Sequence, residues 1–465
     1  MVMTAKAWTP EEWAQVQFER ADLGDRRRTR RAVKLAGQMM RRPAASVPRQ
    51  AGRWSDTKAS YGLFDEEDVT FEALGREHRQ ATRQEACSRS VTLMIQDTSE
   101  LDYTDHPATL DLGPIGDGRG RGFLLHTTLA VDPNGAGDVL GLANQILFCR
   151  ENPKPKETRT QRRKRRRESQ IWGQSVIAVG PSGPGNRFVH VCDRYADNFE
   201  MFAACRDTAV DLLIRMAQNR RCAPGHEATQ PSEHLMQWVR GLPAVGQKLL
   251  ELRRRPKRAR RQARLQIAYS AVTIFPPWLD RSQSEPWRGW VVRVWEPDTP
   301  AGEDPIEWVL LTSVPVLCLE DALTISHWYS LRWLIEEYHK ALKTGCKVED
   351  RQMETRHRLE ACIGVLSVVA VRLLQLKLWA RREPERPAAE CASPLHVQVL
   401  AAYWKKPIAS MTSREFWRDV ARLGGFLGRK SDGEPGWQTL WRGWQQLDAM
   451  TLGAALFQRE VRNCG

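Results

Sequence analysis

The stretch from Tyr329 to Lys343, YSLRWLIEEYHKALK, sets Tyr329, Arg332, Glu336 and Lys343 at offsets of three, seven and fourteen residues. At roughly 100° per residue, a helix gathers those offsets within a fan of about 60° on one face. Leu331, Leu334, Ile335, Tyr338 and Leu342 fall on the opposite side, where they can anchor the helix in a core. A carboxylate among a phenol, a guanidinium and an amine suits a metal-dependent phosphoryl-transfer centre, with the carboxylate on a divalent ion and the cations on phosphates. The plainer reading is a solvated face with Glu–Lys pairs at helical spacing. Further carboxylates at positions fit for metal partners would decide between the two.

Two such carboxylates stand at strand ends. Val91 to Gln96 is a short β-rich apolar run ending at Asp97, and Arg187 to Cys192 is a buried-type run that delivers Asp193. Carboxylates at the C-terminal ends of two strands are a common way to place metal ligands at a sheet edge. An Asp there also serves as a turn residue or helix cap. Gly122 to Val131 and Val139 to Phe148 read as strands that complete a three-stranded meander with the first run, and Asn198 to Ala217 reads as helical. Ala268 to Phe275, Trp290 to Trp295 and Trp308 to Thr312 read as an antiparallel insertion, and Ser326 as the cap of the Glu336 helix. Arg356 to Trp379 reads as a long buried helix. Arg382 to Pro394 reads as a linker, and the tryptophan-rich remainder as helical. At the other end, Thr9-Pro10-Glu11-Glu12 starts one helix and Gly24-Asp25 opens an arginine-rich one reaching about Met40.

The bulk properties frame these residues. The chain has 465 residues, of which 42% are hydrophobic and 27% charged, as in ordinary globular proteins. No uninterrupted apolar run approaches the ~20 residues that span a bilayer, and the start lacks a secretory pattern. The ten cysteines show no metal or disulfide spacing and read as reduced thiols. A net charge of +14 favours a polyanionic partner. The charge is concentrated in arginine blocks at 26–31, 159–167 and 253–264, which suggests a nucleic-acid track over several surfaces.

Together, Asp97-Thr98-Ser99-Glu100-Leu101-Asp102-Tyr103, Asp193-Arg194-Tyr195-Ala196-Asp197 and the Y-x2-R-x3-E-x6-K run resemble the three signature blocks of the insertion-sequence-four family of DDE transposases. The likeness extends to Leu23-Gly24-Asp25, to residues 308–313 and 368–376, and to Arg422-Leu423-Gly424-Gly425-Phe426. The resemblance implies an α/β fold: an RNase H-like core over 76–385 with a β insertion at about 230–318. A helical DNA-binding domain would span 1–75 and a helical dimerisation domain 386–465. It implies that Asp97, Asp193 and Glu336 are catalytic and hold two magnesium ions, with manganese able to substitute. Tyr329, Arg332 and Lys343 would position phosphate, and Trp308 would stack on a flipped base. Trp333, Arg27, Arg28, Arg31 and Arg351 would be further DNA contacts. The partners would be double-stranded transposon ends and target DNA, bound by a homodimer in a bacterial cytoplasm, at the nucleoid, with no membrane role. The implied reaction is nicking, hairpin formation and opening, and strand transfer.

Some positions depart from the family pattern. Gly62 follows Tyr61 where relatives often carry arginine, Tyr195 stands in the second acidic block where Glu or Gly is commoner, and Gln352 replaces a basic residue beside Arg351. Two other functions remain open on sequence alone: a catalytically silent DNA-binding regulator of transposition, and an RNase H-like nuclease without strand transfer. A basic structural protein would leave the carboxylate set unexplained.

Overall fold

The computed structural model describes residues 8–150, 158, 168–252, 261–277, 285–382, 384–429 and 432–463. The arginine block at 159–167 lies outside the described residues, as does 253–260 of the third block.

At the N-terminal end, Thr9 caps α1 (Pro10–Phe18) in a reciprocal capping box with Glu12. The Asp25 side chain accepts from the Arg27 N–H and starts α2 (Arg26–Arg41), whose Leu35, Ala36 and Met39 are fully buried. After α3 (Val47–Ala51) and α4 (Trp54–Phe64), α5 (Phe71–Cys87) runs onto the central sheet.

The sheet begins with β1 (Val91–Asp102), β2 (Gly113–Ile115), β3 (Gly120–Asp132) and β4 (Asp138–Phe148), in which β3 lies antiparallel between β1 and β4. Helix α6 (Ile171–Val179) crosses to β5 (Arg187–Cys192), which is parallel to β1. Helix α7 (Phe199–Asp207) then leads to β6 (Asp211–Arg215), parallel to β5. The order β4-β3-β1-β5-β6 is that of an RNase H-like core, as the resemblance implied.

One expected helix is corrected here. The residues Asn198 to Ala217 form a helix only to Asp207. Ala209, at φ 56°, turns the chain in the left-handed region, and the apolar run Leu212-Leu213-Ile214 enters the sheet fully buried. An uninterrupted apolar run of this length is what a parallel strand covered on both faces requires.

The insertion comprises β7 (Arg221–Pro224), β8 (Glu233–His234), α8 (Leu235–Arg240), β9 (Gly246–Leu252), β10 (Arg261–Ile274), β11 (Trp287–Trp295) and β12 (Glu307–Thr312). It is antiparallel, as expected, and it continues the core sheet. β12 pairs with β6 through Leu310↔Arg215, Leu311↔Ile214 and Thr312↔Leu213, giving one twelve-stranded sheet.

Helix α9 (Leu319–Ser330) starts from Cys318, with the Asp321 carboxylate accepting from the Leu317 and Cys318 N–H groups. Ser326, expected as a cap, therefore lies inside this helix. After α10 (Trp333–Lys340), α11 (Arg356–Arg382) packs on β4, α5, α2 and α4. Its apolar window is long enough to cross a bilayer, but 83% of it is buried inside the fold. Ala388, Cys391 and Ala392, in the stretch expected as a linker, are buried against α12 (Pro394–Trp404), α13 (Ser413–Leu423) and α14 (Trp437–Asn463).

Candidate active site

Pairing between β1 and β5 ends at Ile95↔Val191. Two residues further on stand Asp97, still in β1, and Asp193, just past the end of β5, so the parallel register brings them abreast where the two strands part. Asp97 was expected to end its strand. β1 instead continues to Asp102 along β3, with Asp97 opposite Thr127, and only its β5 edge is open. The Asp97 carboxylate accepts from the Thr98 N–H at 2.8 Å. Asp193 caps a short 3₁₀ turn and accepts from the Tyr195 N–H at 2.8 Å. Asp197 locks that turn from below. It accepts from the Ala217 and Gln218 N–H groups at 2.7 and 2.8 Å and pairs with Arg220, and both side chains are buried.

On the opposite face of β1 from Asp97, a buried polar chain runs across the sheet. The Gln96 amide N–H donates to His190 Nδ1 at 2.7 Å, and Gln96 Oε1 accepts from His126 Nε2 at 3.0 Å. His126 Nδ1 accepts from the Thr98 hydroxyl at 2.8 Å. Burial pushes the pKa of each imidazole down to about 3, so both are neutral and each keeps one ring nitrogen as an acceptor in this chain.

The polar stripe does not lie on one regular helix, as the spacing suggested. Helix α9 ends at Ser330. The Arg332, Leu334 and Ile335 N–H groups bond three residues back, a 3₁₀ tightening ahead of α10. Past Lys340 the chain widens into a π turn, Ala341–Gly345, closed by the Cys346 N–H on the Ala341 carbonyl at 2.8 Å. The two irregularities change the angular phase of the stripe. Arg332 and Glu336 remain together: the Arg332 guanidinium reaches Asp97 at 3.3 Å and also bonds Glu336. Tyr329, 7% exposed, lies against the guanidinium groups of Arg332 and Arg215. Lys343, carried on the π turn, is drawn instead to Glu349 at 3.0 Å, near the far end of β1.

Burial, and after it the charge of Asp193, pushes the Asp97 carboxyl up to about 6, against the opposing pull of Arg332. Burial also raises Asp193. Among the described residues, no three His, Cys, Asp or Glu side chains are gathered as a ready metal cage, since the guanidinium of Arg332 stands between Asp97 and Glu336. The donors nonetheless fit a hard divalent cation. All three are carboxylates, and the mutual repulsion that raises Asp97 is relieved by a positive charge between them.

Trp308 on β12 has its ring centroid 6.0 Å from that of Tyr329, and Lys248 of β9 stands 5.5 Å from the Trp308 ring and bonds Ser326. Trp333 is partly exposed at the start of α10. Of the arginines on α2, Arg27 projects with 90% of its side chain exposed. Arg28 is held by Glu66 and Asp68, and Arg31 by Asp56. Arg351 is buried, with its guanidinium donating to the carbonyls of Pro43, Ala45 and Cys346, so it ties the N-terminal helices to the core and presents no surface to DNA.

Arg215 was missed by the sequence reading. It ends β6, donates to the Glu307 carbonyl at 3.0 Å, and its charge is felt at Asp193 and Tyr329. The signal was the strand itself. With 211–215 recognised as a strand, Arg215 stands on the same sheet edge as the two aspartates. Lys248 carried no comparable signal, because its place depends on the pairing of β9 with β10.

Comparison with protein families gives three matches in chain order. Residues 10–69 match a Transposase DNA-binding model, residues 151–371 a Transposase DDE domain model, and residues 368–465 a Transposase Tn5 dimerisation domain model. The DDE match includes Asp193 and Glu336 and begins after Asp97, whose place beside Asp193 follows from the β1–β5 register and whose link to Glu336 runs through Arg332.

Proposed function

Because this chain belongs to the Tn5-like, insertion-sequence-four transposases, with DNA-binding, DDE and dimerisation domains in that order, we propose that it moves a transposon by a cut-and-paste route through a hairpin. The observation that carries this reading is the row formed by Asp97 and Asp193 beyond the last β1–β5 pair, with Arg332 reaching from there to Glu336.

The DDE domain brings dependence on divalent metal. Asp97, Asp193 and Glu336 would hold the ions, which we take to be two magnesium ions replaceable by manganese, and whose Lewis acidity serves the attacking and leaving oxygens of an in-line displacement. The chain's own residues orient the DNA. Arg332 would turn its guanidinium to the non-bridging oxygens of the scissile phosphate, a planar donor suited to paired acceptors. Tyr329, fixed by its neighbours Arg215 and Arg332, would supply a neutral hydroxyl donor on a rigid ring. Lys343 would meet the backbone further from the cut. Trp308 offers an aromatic receptor for a base that leaves the stack when the strand bends sharply. Arg27 would grip the end DNA through its phosphates.

In the proposed sequence, water attacks the phosphorus at the transposon end and a 3′-OH leaves. That 3′-OH attacks a phosphorus of the opposite strand, forming the hairpin and expelling the 3′-OH of the flanking DNA. A second water opens the hairpin and releases the transposon 3′-OH again, which attacks a phosphorus of target DNA and expels a target 3′-OH. The paired ends would be held by a homodimer through the C-terminal helices, where Leu452, Leu456 and Phe457 are exposed on α14. The setting we propose is the bacterial cytoplasm, at the nucleoid.

The test is a labelled duplex carrying the element's own end, incubated with the full chain and magnesium and run on a denaturing gel. Nicks followed by hairpins, absent with Glu336→Ala, are expected. Binding without cleavage, with manganese also tried, would favour a silent regulator. Cleavage without hairpins would remove the hairpin route.

A further inference from the structure

The residue after Glu336 faces away from the site. Glu337, mostly buried, accepts from Trp437 Nε1 at 2.8 Å and from Lys377, whose ammonium lies 4.1 Å from the centre of the Trp437 ring. These partners come from two other elements. Lys377 lies on α11, the core helix, and Trp437 is the first residue of α14. A second contact follows on the same side. A Cβ at Gly345, in the π turn, would lie 2.6 Å from Trp441 Nε1, so α14 presses directly on the backbone there. Trp437 and Trp441 are stacked with ring centroids 5.8 Å apart and act as one surface.

Glu336 itself is half exposed, and its hydrogen bond is to Arg332 on its own helical segment. The segment is bounded by a 3₁₀ tightening and a π turn, two joints where helical phase is easily lost. Leu334, Ile335 and Tyr338, all fully buried, anchor its core side, and Glu337 adds the contact that ties its rotation to the C-terminal helices. Glu337 is about 100° away from Glu336 around the helix, so a group that pins Glu337 also fixes the direction of Glu336.

The geometry points to Glu337 as a positioning residue, clamped by Lys377 and Trp437, that aims Glu336 at the two aspartates and makes seating of the C-terminal helices a condition for a competent carboxylate set. This inference rests on the transposase reading and concerns how that same site is assembled. Seating of α14 and readiness for chemistry are then linked through one indole N–H and one carboxylate.

The experiment uses the full chain and two substitutions. Trp437→Phe removes the N–H and keeps a ring against Lys377 and Trp441, and Glu337→Gln keeps an acceptor and removes the charge. Three quantities are read: Mn2+ affinity by electron paramagnetic resonance, the dissociation constant for the end duplex, and the nicking rate of prebound duplex. Groups that orient metal ligands indirectly typically change metal affinity or rate by about 10–100-fold. We expect Mn2+ affinity and nicking rate each to fall about tenfold or more in both variants, with end binding within about twofold of wild type. A lowered melting temperature with unchanged Mn2+ affinity would mean that the contact is merely structural and would overturn the clamp. So would loss in Glu337→Gln alone. A wild-type chain that neither binds Mn2+ nor nicks would instead remove the transposase reading, and the clamp with it.

Discussion

Lowering the pH from 7 to 5 tests the buried histidines in a way that allows a number to be worked out. His78, His126 and His190 are buried, and burial pushes each pKa down to about 3. His78 joins three elements: its Nδ1 bonds Gln17 of α1 at 2.6 Å, and its Nε2 accepts from the Leu142 N–H of β4 at 3.1 Å. All three use a ring nitrogen as acceptor, which protonation would abolish. In the unfolded chain each would titrate near 6.5. The folded pKa is the lower one, so between about 6.5 and 3 the unfolded state binds more protons and stability falls as pH falls. At pH 5 this costs about 2 kcal/mol for each histidine relative to pH 7, or about 6 kcal/mol for the three. The figure hardly changes if the folded values lie near 4. Asp97 works the other way. Its folded pKa of about 6 lies above the unfolded one, which gives back about 1 kcal/mol at pH 5. The net for these four groups, a loss of about 5 kcal/mol, rises to about 7 kcal/mol with His339, whose pKa burial also pushes down to about 3, and is comparable to the whole stability of a typical domain. Urea unfolding followed by tryptophan fluorescence at both pH values measures it. His78→Gln and His126→Gln should each remove about 2 kcal/mol of the difference. Stability that stays within about 1 kcal/mol between the two pH values, or variants with undiminished pH dependence, would refute the assignment of these residues as neutral, locked imidazoles.

Three other perturbations have definite outcomes. Asp97→Asn in metal-free buffer at pH 7.5 should raise stability by about 1–3 kcal/mol, since it removes a buried charge facing Asp193, while abolishing nicking; unchanged or lower stability by thermal melting would contradict the repulsion described. Arg220→Met should cost about 3–5 kcal/mol by leaving the Asp197 carboxylate buried and unpaired, and a melting curve within 1 °C of wild type would show that this pair does not hold the Asp193 turn. Gly443→Ala places a Cβ 1.6 Å from the Val420 carbonyl oxygen, so α13 and α14 cannot close as they do. Faster proteolysis in the C-terminal helices and loss of dimer on end DNA are expected, and unchanged proteolysis would refute that close approach.

Much of the site could be read in the sequence because its parts follow local rules. An alternating or apolar run ending in Asp marks where β1 leaves β5 and where β5 ends, and the Tyr-Arg-Glu spacing keeps three polar groups on one side of a helical path. Lys343 was misplaced because spacing assumes a constant angle per residue, and the 3₁₀ tightening and π turn break that constancy through backbone hydrogen bonds that side-chain pattern does not encode. The resemblance makes Arg351 a DNA contact beside Gln352, whereas its surroundings, the distant Pro43 and Ala45 carbonyls and the nearby Cys346 carbonyl, are a tertiary fact. Strand β6 was absorbed into a preceding helix because a five-residue apolar run reads equally well as either. With it went the continuity of the insertion with the core sheet, and Arg215.

The parallel pairing of β1 with β5 has a consequence for the order in which the molecule is made. Asp97 and Asp193 meet only when strands from well-separated parts of the chain pair, and Glu336 arrives later still, after the insertion has been threaded onto β6. A polypeptide still emerging from the ribosome has its arginine-bearing N-terminal helices long before it has three carboxylates in one place. Non-local parallel pairing is also slow to form. Each nascent chain therefore carries its arginine-bearing segment before its carboxylate set, and a chain that stops before α10 lacks Glu336 together with Arg351 and the α11 face on which α2, α4 and α5 pack.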